Sequence, residues 1–343
     1  MSHFSKMNPY GGVSLAARND LVRHAVVYVT DAGFALPSAA SAIAVRRSLP
    51  ASVADVYIVT VDVDDRAFEG LSALLDQHQV SVVRLKDRSF SSFNTQLFNK
   101  THVPISSVAR FFLLDALPRS YERILYLDGD VWPRADLGAL LAMDIPSGMI
   151  AAAEDTLYYC RNDVGDHGNG ARAYFAANGI DPNAGYFNAG VLLADSQSLR
   201  EIFRDAFAYF MKHTSACRYH DQSALNATTI GRRVRLSPKW NFLTVYCDWG
   251  VAPASDAKLM HFAGGFKPWT IPSPYYPGVF EVYRAAFETL ESTGLKNDLL
   301  GPEEALWFKK RLRRDWVKMR TVALPRRLWR RHEYRMLDKT ALR

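Results

Sequence analysis

Arg123-Ile124-Leu125-Tyr126-Leu127-Asp128-Gly129-Asp130-Val131 decides how the rest of the chain is read. Residues 124–127 are a short apolar run, ended at once by two acids and a glycine. That pattern suits a buried strand better than a helix. Asp128-Gly129-Asp130 then puts two carboxylates one residue apart at the strand's carboxyl end, where open α/β sheets bind ligands. Two carboxylates with no thiolate suit a hard divalent cation, Mg²⁺ or Mn²⁺, which keeps positions open for phosphate oxygens. A bare Asp-x-Asp also fits a turn that caps the next helix, so the flanking chain decides.

Upstream, His24–Thr30 is rich in β-branched residues and reads as a strand ending at Asp31-Ala32-Gly33-Phe34. A helical stretch over 38–48, a strand over 56–61, a helix over 66–77 and a strand over 80–85 follow. This β-α-β-α-β order predicts a parallel, nucleotide-binding type of half-domain. Residues 86–103, with Asn94 and Asn99, read as a loop, and Pro104 opens a helix expected to reach Ala116 with Arg110 inside it.

Downstream, the spacing predicts a short helix over 137–141, a strand over 148–153 and a loop over 154–184. A strand over 186–193 is interrupted by Asn188-Ala189-Gly190; small residues there often mark close approach by a ligand. Helices are expected over 196–212 and 220–229, the second led by Asp221-Gln222, and residues 239–242 are too short to assign.

The chain has 343 residues, 48% hydrophobic and 22% charged, as in ordinary globular proteins. No run approaches the roughly 18 apolar residues of a membrane span, and residues 1–20 lack a signal-peptide core. Cys160, Cys217 and Cys247 are scattered and form no Cys-x-x-Cys pair, so a reduced, cytoplasmic protein is expected. The net charge of +7 is concentrated: residues 309–343 alone carry +11, leaving −4 for the rest. Nucleic-acid binding by the main body is therefore not expected.

The ordered set Asp31, Arg110, Asp128-Gly129-Asp130, Tyr186-Phe187-Asn188-Ala189-Gly190, Asp221-Gln222 and His261-x-x-Gly264-x-x-Lys267-Pro268-Trp269 resembles glycosyltransferase family 8. The likeness spans residues 24–270 and is nearest to bacterial lipopolysaccharide galactosyl- and glucosyltransferases. It implies an α/β chain of the GT-A fold: a Rossmann-like nucleotide-binding half, a mixed central sheet flanked by helices, and a basic helical C-terminal extension. The implied division is a flexible lead-in over 1–20, a catalytic domain over 21–300 (donor half 21–150, acceptor half 151–300) and a basic amphipathic segment over 301–343.

The resemblance implies roles. Asp128, Asp130 and His261 would hold Mn²⁺ (or Mg²⁺), the imidazole favouring Mn²⁺. Lys267, with Gly264 and Gly265, would meet the phosphates of a UDP-sugar. Asp31 would contact the uridine, Phe34 would stack on the base, and Gly129 would let the ribose pass; Gly33 departs from the asparagine common there. Arg110, Asn188, Ala189 and Asp221 would surround the donor sugar, with Gln222 beside the reacting carbon and Glu154 or Asp155 contributing. No carboxylate matches a nucleophile, so retention would proceed by same-face attack through a short-lived ion pair rather than a covalent intermediate.

The expected activity is transfer of galactose or glucose from a UDP-hexose to a saccharide or lipid-linked glycan acceptor, lipopolysaccharide core or another cell-surface glycan. Trp240, Tyr246 and Trp249 would form a sugar platform. A catalytically silent nucleotide-sugar binding protein and a Mg²⁺-dependent nucleotidyltransferase are the alternatives; the second leaves the His-x-x-Gly-x-x-Lys element and Asp-Gln unexplained. In the tail, Phe308, Leu312, Trp316, Met319, Leu328, Trp329, Met336 and Leu337 lie among many Lys/Arg, the composition of an interfacial anchor for an anionic membrane. The expected location is the inner face of the cell membrane, held peripherally.

Overall fold

Strand β1 (His24–Thr30) is covered on both faces: Val26 and Tyr28 point into one apolar core, Ala25, Val27 and Val29 into another. Such a strand belongs inside a parallel sheet with helices on either side. The structure is a computed structural model and describes residues 22–85, 105–115, 117–265, 267–270, 278–293 and 302–342. The lead-in over 1–20 and the loop expected over 86–103 lie outside the described residues.

Helix α1 (Ala35–Ser48) crosses from β1 to β2 (Ala54–Thr60), and α2 (Asp65–Asp76) from β2 to β3 (Val80–Arg84). All three strands are parallel. Asp64 caps α2, accepting from the Ala67 N–H at 2.8 Å, and Ala67, Leu71 and Leu75 form its buried stripe. Helix α1 is buried nearly all round, which its small residues Ala39, Ala40 and Ala42 permit.

The helix expected from Pro104 to Ala116 is shorter than its spacing suggests. Helix α3 spans only Ile105–Ala109; the chain then tightens into i→i+3 turns, with the Phe111 and Phe112 N–H groups donating to Val108 and Ala109 at 3.1 and 3.0 Å. The turn lets Arg110 reach inward while Phe111 packs among Phe203, Phe207 and Phe210.

Strand β4 (Arg123–Leu127) pairs parallel to β1 on the side away from β2. Strand order therefore reverses between β1 and β4, and Asp31 and Asp128 leave their strands at that switch point. After β5 (Val131–Pro133) and α4 (Gly138–Leu141) comes β6 (Ile150–Ala152). The loop expected over 154–184 contains two helices, α5 (Thr156–Cys160), capped by Asp155, and α6 (Asp166–Ala177). Its glycines mask the Ala171, Tyr174, Phe175 stripe of α6.

Strand β7 (Val191–Asp195) starts later than expected. Ahead of it Phe187 makes only an isolated bridge to Glu154, because the Asn188 side chain accepts the Gly190 N–H at 3.0 Å and turns the backbone. Antiparallel pairing of β7 with β4 brings this turn to the carboxyl end of β4, where the Asp128 N–H donates to the Gly190 carbonyl at 2.9 Å. Helices α7 (Ser196–Lys212) and α8 (His220–Thr228) follow, and β8 (Arg233–Arg235) closes a seven-stranded sheet of order β3-β2-β1-β4-β7-β6-β8.

A second sheet, β5-β10-β9, joins β9 (Phe242–Leu243), α9 (Val245–Asp248) and β10 (Leu259–His261) to β5. Its register pairs His261 with Val131, next to Asp130. Helix α10 (Val279–Leu290) packs Tyr283 against Trp132 and Trp269.

The tail forms α11 (Pro302–Arg320) and α12 (Leu324–Thr340). Helix α12 is docked on the body: Tyr334 packs on Phe242 and Tyr246, Glu333 pairs with Arg161 at 2.8 Å, and Leu342 bridges to Leu236. Met319 and Leu337, read from sequence as anchor residues, are buried.

Candidate active site

The switch point gathers the residues that the sequence singled out. One ligand atom from each of Asp128, Asp130 and His261 lies within 4.8 Å of the other two. Two carboxylates and an imidazole so spaced match the donor set of a divalent cation. Gly190 makes the cluster possible: a Cβ there would collide with the His261 ring and come within 2.8 Å of Asp128 Oδ2. The close approach that glycine allows here is to the His261 ring and the Asp128 carboxylate.

Each carboxylate already has a cation. Lys267 Nζ donates to Asp130 Oδ2 at 2.5 Å and to the Phe262 carbonyl at 2.8 Å. Burial opposes charge on Asp130, but Lys267 and His261 outweigh it and hold the carboxyl well below the usual range. Arg110, with 8% of its side chain exposed, donates to Asp128 Oδ1 at 2.6 Å and pairs with Asp221 Oδ2 at 2.6 Å. Its guanidinium also lies over the Tyr126 ring and donates to the Ala189 carbonyl at 3.1 Å. Burial works against the Arg110 charge, yet Asp221, Tyr126 and Asp128 hold its pKa above the ordinary value. Burial pushes the Asp221 carboxyl up, against the pull of Arg110. Arg110 thus links Asp128 to Asp221.

A directed chain of hydrogen bonds sets His261. Asp155 Oδ2 accepts from Asn188 Nδ2 at 2.9 Å, which fixes the Asn188 amide. Asn188 Oδ1 therefore accepts from Asn241 Nδ2 at 3.0 Å, leaving Asn241 Oδ1 to accept from His261 Nδ1 at 2.8 Å. With Nδ1 donating to Asn241, Nε2 is the ring atom that faces the carboxylates, 3.3 Å from Asp130 Oδ1. Asn241, fully buried, is the residue of this network that sequence reading missed. Its position 20 residues before His261 gives no local signal.

Of the two acids left open by sequence, Glu154 is enclosed by Arg233, Arg235 and the Tyr186 N–H. Asp155 is the one in the site network. Gln222 Oε1 accepts the Ala189 N–H at 3.0 Å, so Ala189 ties Gln222 and Arg110 together through its backbone.

At the end of β1, Asp31 caps the turn to Phe34 and accepts from Ser106 Oγ at 2.9 Å. The Phe34 ring stands edge-on to Trp269, with Lys267 Nζ 5.3 Å from its centre. A Cβ on Gly129 would strike Ser38 Oγ, so the packing of α1 also favours glycine there. Gly264 has φ +100° and open space around it, a conformation that favours glycine. Trp240 and Tyr246 are core residues at 1% and 0% exposure, which corrects the expected platform; Trp249 alone reaches the cleft, with the Arg330 guanidinium 3.7 Å over its ring.

Comparison with known proteins places these observations. The model of glycosyl transferase family 8 matches residues 25–271. The chain is 24% identical over 278 residues to the lipopolysaccharide 1,2-glucosyltransferase of Escherichia coli (strain K12), covering 75% of each. It is 25% identical over 186 residues to general stress protein A of Bacillus subtilis (strain 168), where the match spans 60% of that protein's length. Among solved structures it is similar to the galactosyltransferase LgtC in complex with donor and acceptor sugar analogs, at TM-score 0.59 and 20% identity, covering 81% of this chain and 98% of the other. The fold is GT-A, as the motif set implied.

Proposed function

Because the chain belongs to glycosyl transferase family 8, we propose that this glycosyltransferase moves galactose or glucose from a UDP-sugar to a saccharide acceptor, with retention of configuration. The observation that carries the reading is the Asp128, Asp130 and His261 cluster at the switch point, with Lys267 beside it. These three residues would hold Mn²⁺ or Mg²⁺. When bound, the cation supplies Lewis-acid neutralisation of charge developing on the leaving diphosphate. Lys267 adds a second positive charge there.

The protein's own groups do the rest. Asn188, Asp155 and Asp221 offer hydrogen-bonding atoms to the donor sugar. The Gln222 amide sits by the reacting carbon and is a poor nucleophile, which favours same-face attack with a leaving phosphate oxygen taking the acceptor's proton. Trapping of a glycosyl adduct on Asp221 or Gln222 would overturn that mechanism. Hexose transfer is favoured by what the relatives' names state, glucosyl transfer for one and galactosyl transfer for another. A lipopolysaccharide-type acceptor is proposed on the same ground.

Peripheral membrane binding is proposed from the surface of the tail. Trp316, Val322, Leu328, Trp329 and Met336 are exposed among Lys/Arg, and no described helix is long and apolar enough to cross a membrane. Leu328, Trp329 and Met336 changed to Ser should weaken binding to anionic vesicles; unchanged binding would remove this part. The activity itself is tested by screening UDP release across UDP-sugars with and without Mn²⁺. Release confined to a UDP-hexose and requiring metal is expected, and donor binding without release would favour the silent binding protein.

A further inference from the structure

A cleft of about 740 Å³ opens beside Gly264 and Gly265, between the catalytic body and α11. Its volume suits an oligosaccharide-sized ligand. It adjoins the loop that carries Lys267, so whatever occupies it lies next to the donor phosphates.

Its walls combine aromatic faces with unspent positive charge. Trp249 and Tyr219 come from the body and Trp307, 55% exposed, from α11. Arg326 and Arg330 share a single carboxylate, Asp163, at 3.3 and 2.6 Å. Arg311 is 3.9 Å from Asp315, a loose contact. Exposed Arg218 and Lys318 have no carboxylate within ion-pair distance among the described residues; Arg218 only lies over the Tyr219 ring at 5.7 Å. Three acids, Asp166, Asp248 and Asp315, also line the cleft. Burial, reinforced by Asp315, pushes the Asp248 carboxyl up to about 7, so it is only partly ionised near neutrality.

Resting on the glycosyltransferase reading above, we infer that the acceptor is an anionic saccharide, phosphate- or carboxylate-bearing, whose charge is met by Arg218 and Lys318 while its sugar rings lie on the cleft's aromatic side chains. Guanidinium and ammonium groups at a cleft edge select anions, and aromatic faces accept the apolar side of a sugar. A neutral acceptor would leave both cations without a counter-charge.

The test uses the full chain saturated with UDP and Mn²⁺, so that the donor site is filled. Binding of glucose, glucose 6-phosphate and glucuronate is measured by calorimetry or NMR titration. Both charged probes are expected to bind about tenfold more tightly than glucose. A preference for only one tells phosphate from carboxylate as the source of the charge. The Arg218→Gln/Lys318→Gln double variant should erase the preference while UDP binding stays unchanged, and each single variant should lose part of it. Equal or undetectable binding of charged and neutral probes, or a preference that survives in the double variant, overturns the inference. Absence of UDP binding in the same titrations would instead count against the donor-site reading.

Discussion

Around Asp128 and Asp130 the side chains are enclosed and each has named partners, whereas across the Gly264–Gly265 loop the cleft wall includes exposed, loosely paired side chains such as Arg218, Arg311 and Lys318. Asn188, Asn241 and His261 form one directed chain on the first side; on the second, Arg218 and Lys318 have no carboxylate partner among the described residues. The difference has a physical basis. A cation and a diphosphate are small, highly charged ligands, and preorganised dipoles hold them best. A saccharide acceptor is large and hydrated, and is met by broad surface with few fixed groups.

Substitutions on the first side should therefore be costly and those near the second mild. The largest effect is expected for Gly190→Ala, which puts a methyl into the His261 ring. It should lower stability by about 1–3 kcal/mol through overpacking and abolish Mn²⁺ binding, read by thermal melting and metal titration. A fully competent variant would show that the cluster is more pliable than its packing suggests.

Next comes Asn241→Leu, which removes the acceptor that keeps the His261 proton on Nδ1. Mn²⁺ affinity should fall by ~10–100-fold. Asn241→Asp still accepts from Nδ1 and should retain most of it; equal loss in both variants would point to packing alone.

The smallest effect concerns Asp248, which lines the cleft beside α11. Burial and Asp315 raise its carboxyl to about 7 against the opposing pull of Arg311. A carboxyl raised on folding stabilises fully below its ordinary pKa of about 4, and that contribution is lost as pH climbs through 7. Asp248→Asn should flatten stability between pH 4 and 8, with a gain on the order of 1 kcal/mol at pH 8. Parallel melting curves for both proteins across that range would contradict the assigned burial.

What the sequence made legible follows the same division. Strand β1 and the Asp128-Gly129-Asp130 stretch announce themselves because burial forces apolar runs and ligand chemistry forces particular side chains. Even His261, 131 residues beyond Asp130, is flagged by the Gly and Lys that follow it. Asn241 is invisible, since it acts on another residue and carries no motif of its own. The helix expected through Ala116 failed because periodicity does not report that Arg110 must turn inward. Helices α5 and α6 were hidden by glycines, and the Trp240/Tyr246 platform failed because an aromatic's burial depends on the docking of α12, which spacing does not reveal.

The most direct test of the metal-bearing donor site is Mn²⁺ binding in the presence of UDP, followed by electron paramagnetic resonance, for the wild type and Asp130→Asn. The wild type should show one UDP-dependent Mn²⁺ site, and the variant should bind at least ~100-fold more weakly, because it loses a ligand and leaves Lys267 unpaired. Equal Mn²⁺ affinity in the two proteins, or binding indifferent to UDP, would contradict the assignment of Asp128, Asp130 and His261 as the ligands of the metal on a nucleotide-sugar diphosphate.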